Sequence, residues 1–310
     1  MNASTKFGGF ALGLAAIFGI ALAAGAVIGP EPAEPAAHDA KAHDTAQGAD
    51  ALPGGMMATD RGYTLRLDTT RTTAAANVPL RFRILDRDGK PVTRYVRNHD
   101  KDLHLIVVRR DMAAFQHVHP VLDADGTWSV PLDLGRAGDY RVFADFTPEG
   151  GENLTLGADL LVAGLYDPQP LPAAAATTVG DYTVTLDGTV VPGRASKVTL
   201  SVSRAGKPVT DLQPYLGAYG HLVALRAADL GYLHVHPEGH PGDGVTAAGP
   251  GITFAVTAPS AGDYRLFLDF QHEGVVRTAE FTVTVAPGTP AVDAPHHNEH
   301  TGQQPDGHAH

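Results

Sequence analysis

Two sets of three histidines stand at one spacing: His104, His117 and His119, then His221, His234 and His236. In each set the second and third lie 13 and 15 residues beyond the first. The last two share a phrase, "FQHVHP" at 115–120 and "YLHVHP" at 232–237. Residues two apart on a strand point to the same face, so each HVH pair presents two imidazoles together. The segment "HLIVVRRDMAAFQHVHP" at 104–120 reads as a hairpin, with strands near 103–109 and 115–119 and a turn centred at residue 111 or 112. That turn sets His104 opposite or diagonal to His119. Directly paired side chains have Cβ atoms about 4.5–5.5 Å apart, so three imidazoles converge on one patch in each copy.

Neutral imidazole suits copper, zinc, nickel and iron. Asp145 and Asp269 occupy matching places in "GDYRVFADF" (138–146) and "GDYRLFLDF" (262–270). Each is placed to be a fourth ligand, or an acceptor that orients a ring through its other nitrogen. The expected metal set is therefore His104, His117, His119 and Asp145, then His221, His234, His236 and Asp269. The alternative is a buried polar His–Asp cluster that fixes the fold. Because imidazole must be neutral to ligate, metal affinity is expected to fall below about pH 6. His99, His240 and His272 have no counterpart between the copies and rank below these. Short His-rich tracts at 38–44 and 296–310 offer loose, flexible ligands, and Met56, Met57 and Met112 offer thioethers to Cu(I).

The elements that must position these residues are strands. Gly and Pro are frequent, at 35 and 23 of 310 residues, and short Val/Thr/Leu runs recur between turn signals. "YTLRLDT" (63–69), "LRFRILD" (80–86) and "TWSVPLDL" (127–134) have equivalents in "YTVTLDG" (182–188), "VTLSVSR" (198–204) and "ITFAVTA" (252–258). The recurring blocks define one unit present twice, with extra residues in the second copy forming the surface loop "EGHPGDGVTAAGPG". Six or seven short strands per copy predict an all-β fold of two tandem immunoglobulin-like β-sandwich domains. Tyr140 and Tyr264, entering a late strand after Gly-Asp, read as tyrosine corners, and Trp128 as core. The domain limits are 59–165 and 178–287.

Residues 7–29 run without a charge and read as a signal peptide or a membrane anchor helix. Residues 30–58 read as a disordered Pro/Ala-rich linker and 288–310 as a disordered His-rich tail. The bulk of the chain is thus expected outside the cytoplasm, secreted or anchored to the cell membrane. With no cysteine there is neither disulfide nor thiolate site, and a net charge of −11 argues against nucleic acid as a partner.

The hairpin phrase and the late "GDYRVFADF" strand resemble the YtkA-like domains of secreted bacterial proteins over roughly 60–164 and 178–287. More distantly the chain is similar to CopC-type extracytoplasmic copper carriers, which are also cysteine-free β-sandwiches. That resemblance implies copper binding through His and carboxylate. The chain departs from the CopC pattern at the mature N-terminus, where a Pro/Ala linker stands in place of a ligand histidine. Hence the ligands named above rest on hairpin geometry. The expected function is an extracytoplasmic metal-binding protein, for copper or else zinc, that is not an enzyme. No nucleophile elbow, phosphate loop or HExxH helix is present. The alternative is a non-catalytic cell-envelope scaffold or adhesion protein with structural histidines.

Overall fold

Alternation of apolar and polar residues commits the chain to strands, and the computed structural model describes residues 52–233 and 235–287 as β-structure and turns throughout. The first repeat contains β1 (Thr59–Asp60), β2 (Tyr63–Leu67), β3 (Arg71–Thr73), β4 (Ala75–Leu85), β5 (Tyr95–Val96) and β6 (Leu103–Arg109). It continues through β7 (Gln116–Val118), β8 (Val121–Leu122), β9 (Trp128–Leu134), β10 (Gly138–Pro148) and β11 (Leu154–Ala163). The second contains β12 (Ala176–Val179), β13 (Tyr182–Asp187), β14 (Ala195–Arg204), β15 (Lys207–Pro208) and β16 (Gly220–Arg226). After these come β17 (Tyr232–Leu233), β18 (His236–Pro237), β19 (Gly251–Thr257), β20 (Gly262–His272) and β21 (Val275–Val285).

Each repeat folds into two sheets. In the first, β1-β2-β4-β9-β8 faces β3-β11-β10-β6-β7; in the second, β12-β13-β14-β19-β18 faces β17-β16-β20-β21. Antiparallel β2-β4-β9-β8 opposite β11-β10-β6-β7 is the strand arrangement of an immunoglobulin sandwich, and β13-β14-β19-β18 opposite β21-β20-β16-β17 repeats it. Phe82, Ile84, Leu105, Val107, Trp128 and Leu156 fill the first core, and Val184, Leu200, Phe254, Leu266, Leu268 and Phe281 the second. Both tyrosine corners form: Tyr140 donates its hydroxyl to the Arg136 carbonyl at 2.7 Å, and Tyr264 to the Ser260 carbonyl at 2.9 Å.

The two sandwiches share a third core. The described residues lie in one compact unit, and within it β6 is buried at all seven positions. Leu103, Leu105 and Val107 point into their own sandwich, whereas Ile106 and Val108 join Met112, Phe143, Val223, Leu225, Leu230, Tyr232 and Phe267 between the repeats. A strand covered on both faces reads as a continuous apolar run rather than an alternation, which is what "HLIVV" is. The contacts are reciprocal. Phe115 of the first repeat stacks on Phe267 of the second, with ring centroids 3.8 Å apart, and Tyr232 of the second meets Phe143 of the first at 5.6 Å. The repeats thus pack about a pseudo-twofold axis.

Two expectations need correction. Residues 53–57, read as the end of a disordered linker, are bound. The Tyr232 amide donates to the Gly54 carbonyl at 3.0 Å, the Gly157 amide to the Met57 carbonyl at 2.9 Å, and Arg141 Nη2 to the Gly55 and Met56 carbonyls at 2.7 and 2.8 Å. Backbone groups held between sheets need such partners, and Arg141 supplies them. Met112, offered as a thioether ligand, is buried among Ile106, Val108 and Phe143. The expected signal or anchor at 1–29, the linker up to residue 51 and the tail at 288–310 lie outside the described residues.

Candidate metal centre

The hairpin forms in the expected register. β6 pairs with β7 through Leu105↔Val118, Ile106↔His117 and Val107↔Gln116, and one further step sets His104 opposite His119. The reversal between the strands is tight: Met112 and Ala114 both take positive φ, and Asp111 accepts from the Arg109 guanidinium at 2.7 and 2.8 Å. Because even-numbered residues of β6 face the other repeat, His104 points into the boundary between the sandwiches, and β7 carries His117 beside it.

The three rings converge. His104 Nδ1 lies 3.0 Å from His117 Nε2 and 3.2 Å from His119 Nε2. The candidate donor atoms of His104, His117 and His119 all fall within 4.8 Å of one another. A tetrahedral ion with bonds of 2.0–2.1 Å holds its donors about 3.3 Å apart, so the set closes around an ion with small side-chain rotations.

The outer nitrogens fix the tautomers. His104 Nε2 stands 3.0 Å from the Asn98 carbonyl, which can only accept, so Nε2 carries the proton and Nδ1 is bare. His117 Nδ1 stands 2.7 Å from Asp269 Oδ2, so it too donates outward and its Nε2 is turned toward His104. His104 Nδ1 and His117 Nε2 therefore face each other across 3.0 Å. The contact is favourable only with a cation between them, a proton or a metal ion. Burial first, and then the neighbouring His117 ring, lower the His104 pKa to about 4; the same causes, with His104 added, bring His119 to about 3. These two rings are neutral, as ligands must be, across the physiological range.

Asp269 belongs to the second repeat. Sequence spacing grouped each aspartate with the histidines of its own copy, and the backbone registers agree: Asp145 pairs with His104 and Asp269 with His221. The side chains instead cross the boundary. Asp269 holds His117 of the first repeat and accepts from Thr278 Oγ1 at 2.6 Å, while Asp145 accepts from Asn153 Nδ2 at 3.0 Å and shares a hydrogen bond with the Tyr232 hydroxyl of the second repeat. Burial, with Asp145 beside it, pushes the Tyr232 phenol well above 10.

The second copy repeats part of this design. His221 donates Nε2–H to the Tyr215 carbonyl at 2.8 Å, as His104 does to Asn98, and burial lowers its pKa to about 4. His234 and the side chain of His236 lie outside the described residues. His99, ranked low in the sequence, sits over His221 with ring centroids 5.0 Å apart and 6.2 Å from His104. It reaches there from a tight turn in which His99 and Asp100 both adopt positive φ, a conformation that spacing could not have revealed. His272 is elsewhere, between the Tyr182 hydroxyl at 2.8 Å and Asp211 at 3.1 Å, and His240 lies on the exposed inserted loop. Two clefts of about 360 and 280 Å³ are lined by second-repeat residues such as Leu186 and Val198, or Tyr219 and Thr246, and by none of the clustered rings.

Residues 58–162 and 177–287 each match DUF8832, a domain of unknown function, and together span more than half of the sequence. The chain belongs to the DUF8832 family. No curated protein matches it. Among solved structures, FdeC, an Escherichia coli adhesin, is 18% identical over 76% of this chain and 66% of that one, with a TM-score of 0.24. Yersinia pseudotuberculosis InvD is 15% identical over 76% and 61%, at 0.24, and methylamine-reacted Salmonella alpha-2-macroglobulin 15% identical over 78% and 16%, at 0.26. The DUF8832 chain spans two thirds or less of each.

Proposed function

We propose that this DUF8832 protein is a non-catalytic, extracytoplasmic metal-binding module that takes a late first-row ion, copper or zinc, at His104, His117 and His119. The observation that carries this reading is the convergence of three ring nitrogens, His104 Nδ1 lying 3.0 Å from His117 Nε2 and 3.2 Å from His119 Nε2. Imidazole-only donors suit Cu(II) and Zn(II). The uncharged stretch at 7–29 supports placement outside the cytoplasm, and kinship with YtkA-like and CopC-type domains is part of the same proposal.

The test is zinc and copper titration of the metal-stripped full-length chain at pH 5.5, where tail imidazoles are mostly protonated. One tight equivalent, lost in His104→Ala and His119→Ala, is the expected result; unchanged affinity in both variants overturns it.

A second reading has its own observation. The cluster already bonds His104 to Asn98 and ties His117 to Asp269 across the repeats, beside an apolar core that joins two sandwiches. Such a unit suits a rigid envelope scaffold or adhesion spacer with structural histidines. On that reading the same variants lower the melting temperature and leave metal affinity unchanged.

A further inference from the structure

We infer that Asp269, keyed by Thr278, is a positioning residue that holds His117 in its Nδ1–H tautomer from the opposite repeat, so that the first-repeat site can bind metal only while the two repeats are docked. This inference rests on the metal reading above.

His117 can reach the other donors only through Nε2, which lies 3.0 Å from His104 Nδ1, and it ligates only if Nε2 is bare. That depends on where the ring proton resides. The Asp269 carboxylate, buried at 4% exposure, accepts at Oδ2 from His117 and at Oδ1 from Thr278. Both of its bonded oxygens are acceptors, so the proton is drawn to Nδ1. Neither Asp269 on β20 nor Thr278 on β21 belongs to the repeat that carries the three histidines; they are Cα partners in the β20–β21 ladder, which fixes the carboxylate in place. Acceptors behind ligating histidines of this kind are worth roughly 10–100-fold in metal affinity.

Thr278 makes the idea testable. In an Asp269→Asn variant the Thr278 hydroxyl still donates to the amide oxygen, which turns the amide NH₂ toward His117. That group donates, so His117 must accept at Nδ1 and carry its proton at Nε2, where it blocks the ion. Removing the key as well, in Asp269→Asn/Thr278→Val, frees the amide to turn its oxygen back toward His117.

The experiment uses the full-length chain, metal-free and then with Zn(II), at pH 5.5. Histidine ¹⁵N shifts report the His117 tautomer, and zinc titration reports affinity. Expected are an Nδ1–H tautomer in the wild type, an Nε2–H tautomer with 10–100-fold weaker zinc binding in Asp269→Asn, and recovery of both in the double variant. A tautomer unchanged by Asp269→Asn overturns the proposal, as does a switched tautomer with unchanged zinc affinity. If His104→Ala and His119→Ala also leave zinc binding unchanged, the metal reading itself has failed; the tautomer data, taken without metal, separate the two cases.

Discussion

His221 is buried with its proton on the Tyr215 carbonyl, and loss of solvent brings its pKa to about 4 from an ordinary 6.5. Between those values the unfolded chain binds a proton that the folded chain refuses. Stability is therefore complete above pH 6.5, falls as the pH drops, and stops falling below about pH 4. The loss is on the order of 3 kcal/mol for His221 alone, and His104 and His119 act in the same direction. Urea unfolding from pH 7 to pH 4 should show the midpoint falling steadily; a flat profile would mean that the rings are solvated. Protons compete with metal at His104 and His119 only near pH 3–4. At this scale the triad was legible because period-two spacing and hairpin register are local. Asn98, His99 and Thr278 were not, since each enters the site through a turn or a neighbouring strand that no spacing in the sequence marks.

At the scale of elements, most strands were written in their alternation, and β6 occupies the residues its hairpin reading gave it. The misses share a cause. β11, "LTLGADLLVA", alternates too irregularly to read, because its Gly157 is required by a contact outside its own sheet. A Cβ there would stand 2.0 Å from the Gly55 carbonyl oxygen and 2.8 Å from Arg141. Gly157→Ala should therefore expel residues 53–57 from their seat on the edge of the sandwich while leaving the sandwich folded. Limited proteolysis checks this: cleavage near Gly55 should rise several-fold over wild type, with cleavage inside β10 and β11 unchanged. The tyrosine corners make a second prediction of the same kind. Tyr140→Phe leaves the Arg136 carbonyl without its partner at 2.7 Å, at a cost of about 1–3 kcal/mol in chemical denaturation, and it should not alter zinc affinity.

The whole molecule is where the sequence was least informative. Duplication showed two domains but not how they meet, because residues facing a second sandwich and residues facing the domain's own core are chemically alike. The run "HLIVV" is apolar at four consecutive positions, and only the structure shows that Ile106 and Val108 serve the neighbour. This shared core predicts coupled unfolding. Phe267 is fully buried, stacks on Phe115 from the other repeat, and fills the boundary with Phe143 and Tyr232. Phe267→Ala should cost about 3–5 kcal/mol, most of it from the contact between repeats. Wild-type calorimetry should therefore show one transition with matching calorimetric and van't Hoff enthalpies. The variant should split into two transitions, each sandwich retaining its own core of Phe82 and Trp128 or Phe254 and Phe281. Saturating zinc should raise the single wild-type transition by binding the folded state. If Asp269 couples the site to docking, zinc should raise the lower of the two transitions in Phe267→Ala, whichever repeat melts there, and leave the upper one unchanged. Two transitions in the wild type would mean that the repeats are tethered rather than fused, and the cross-boundary bond from His117 to Asp269 could not then govern the site.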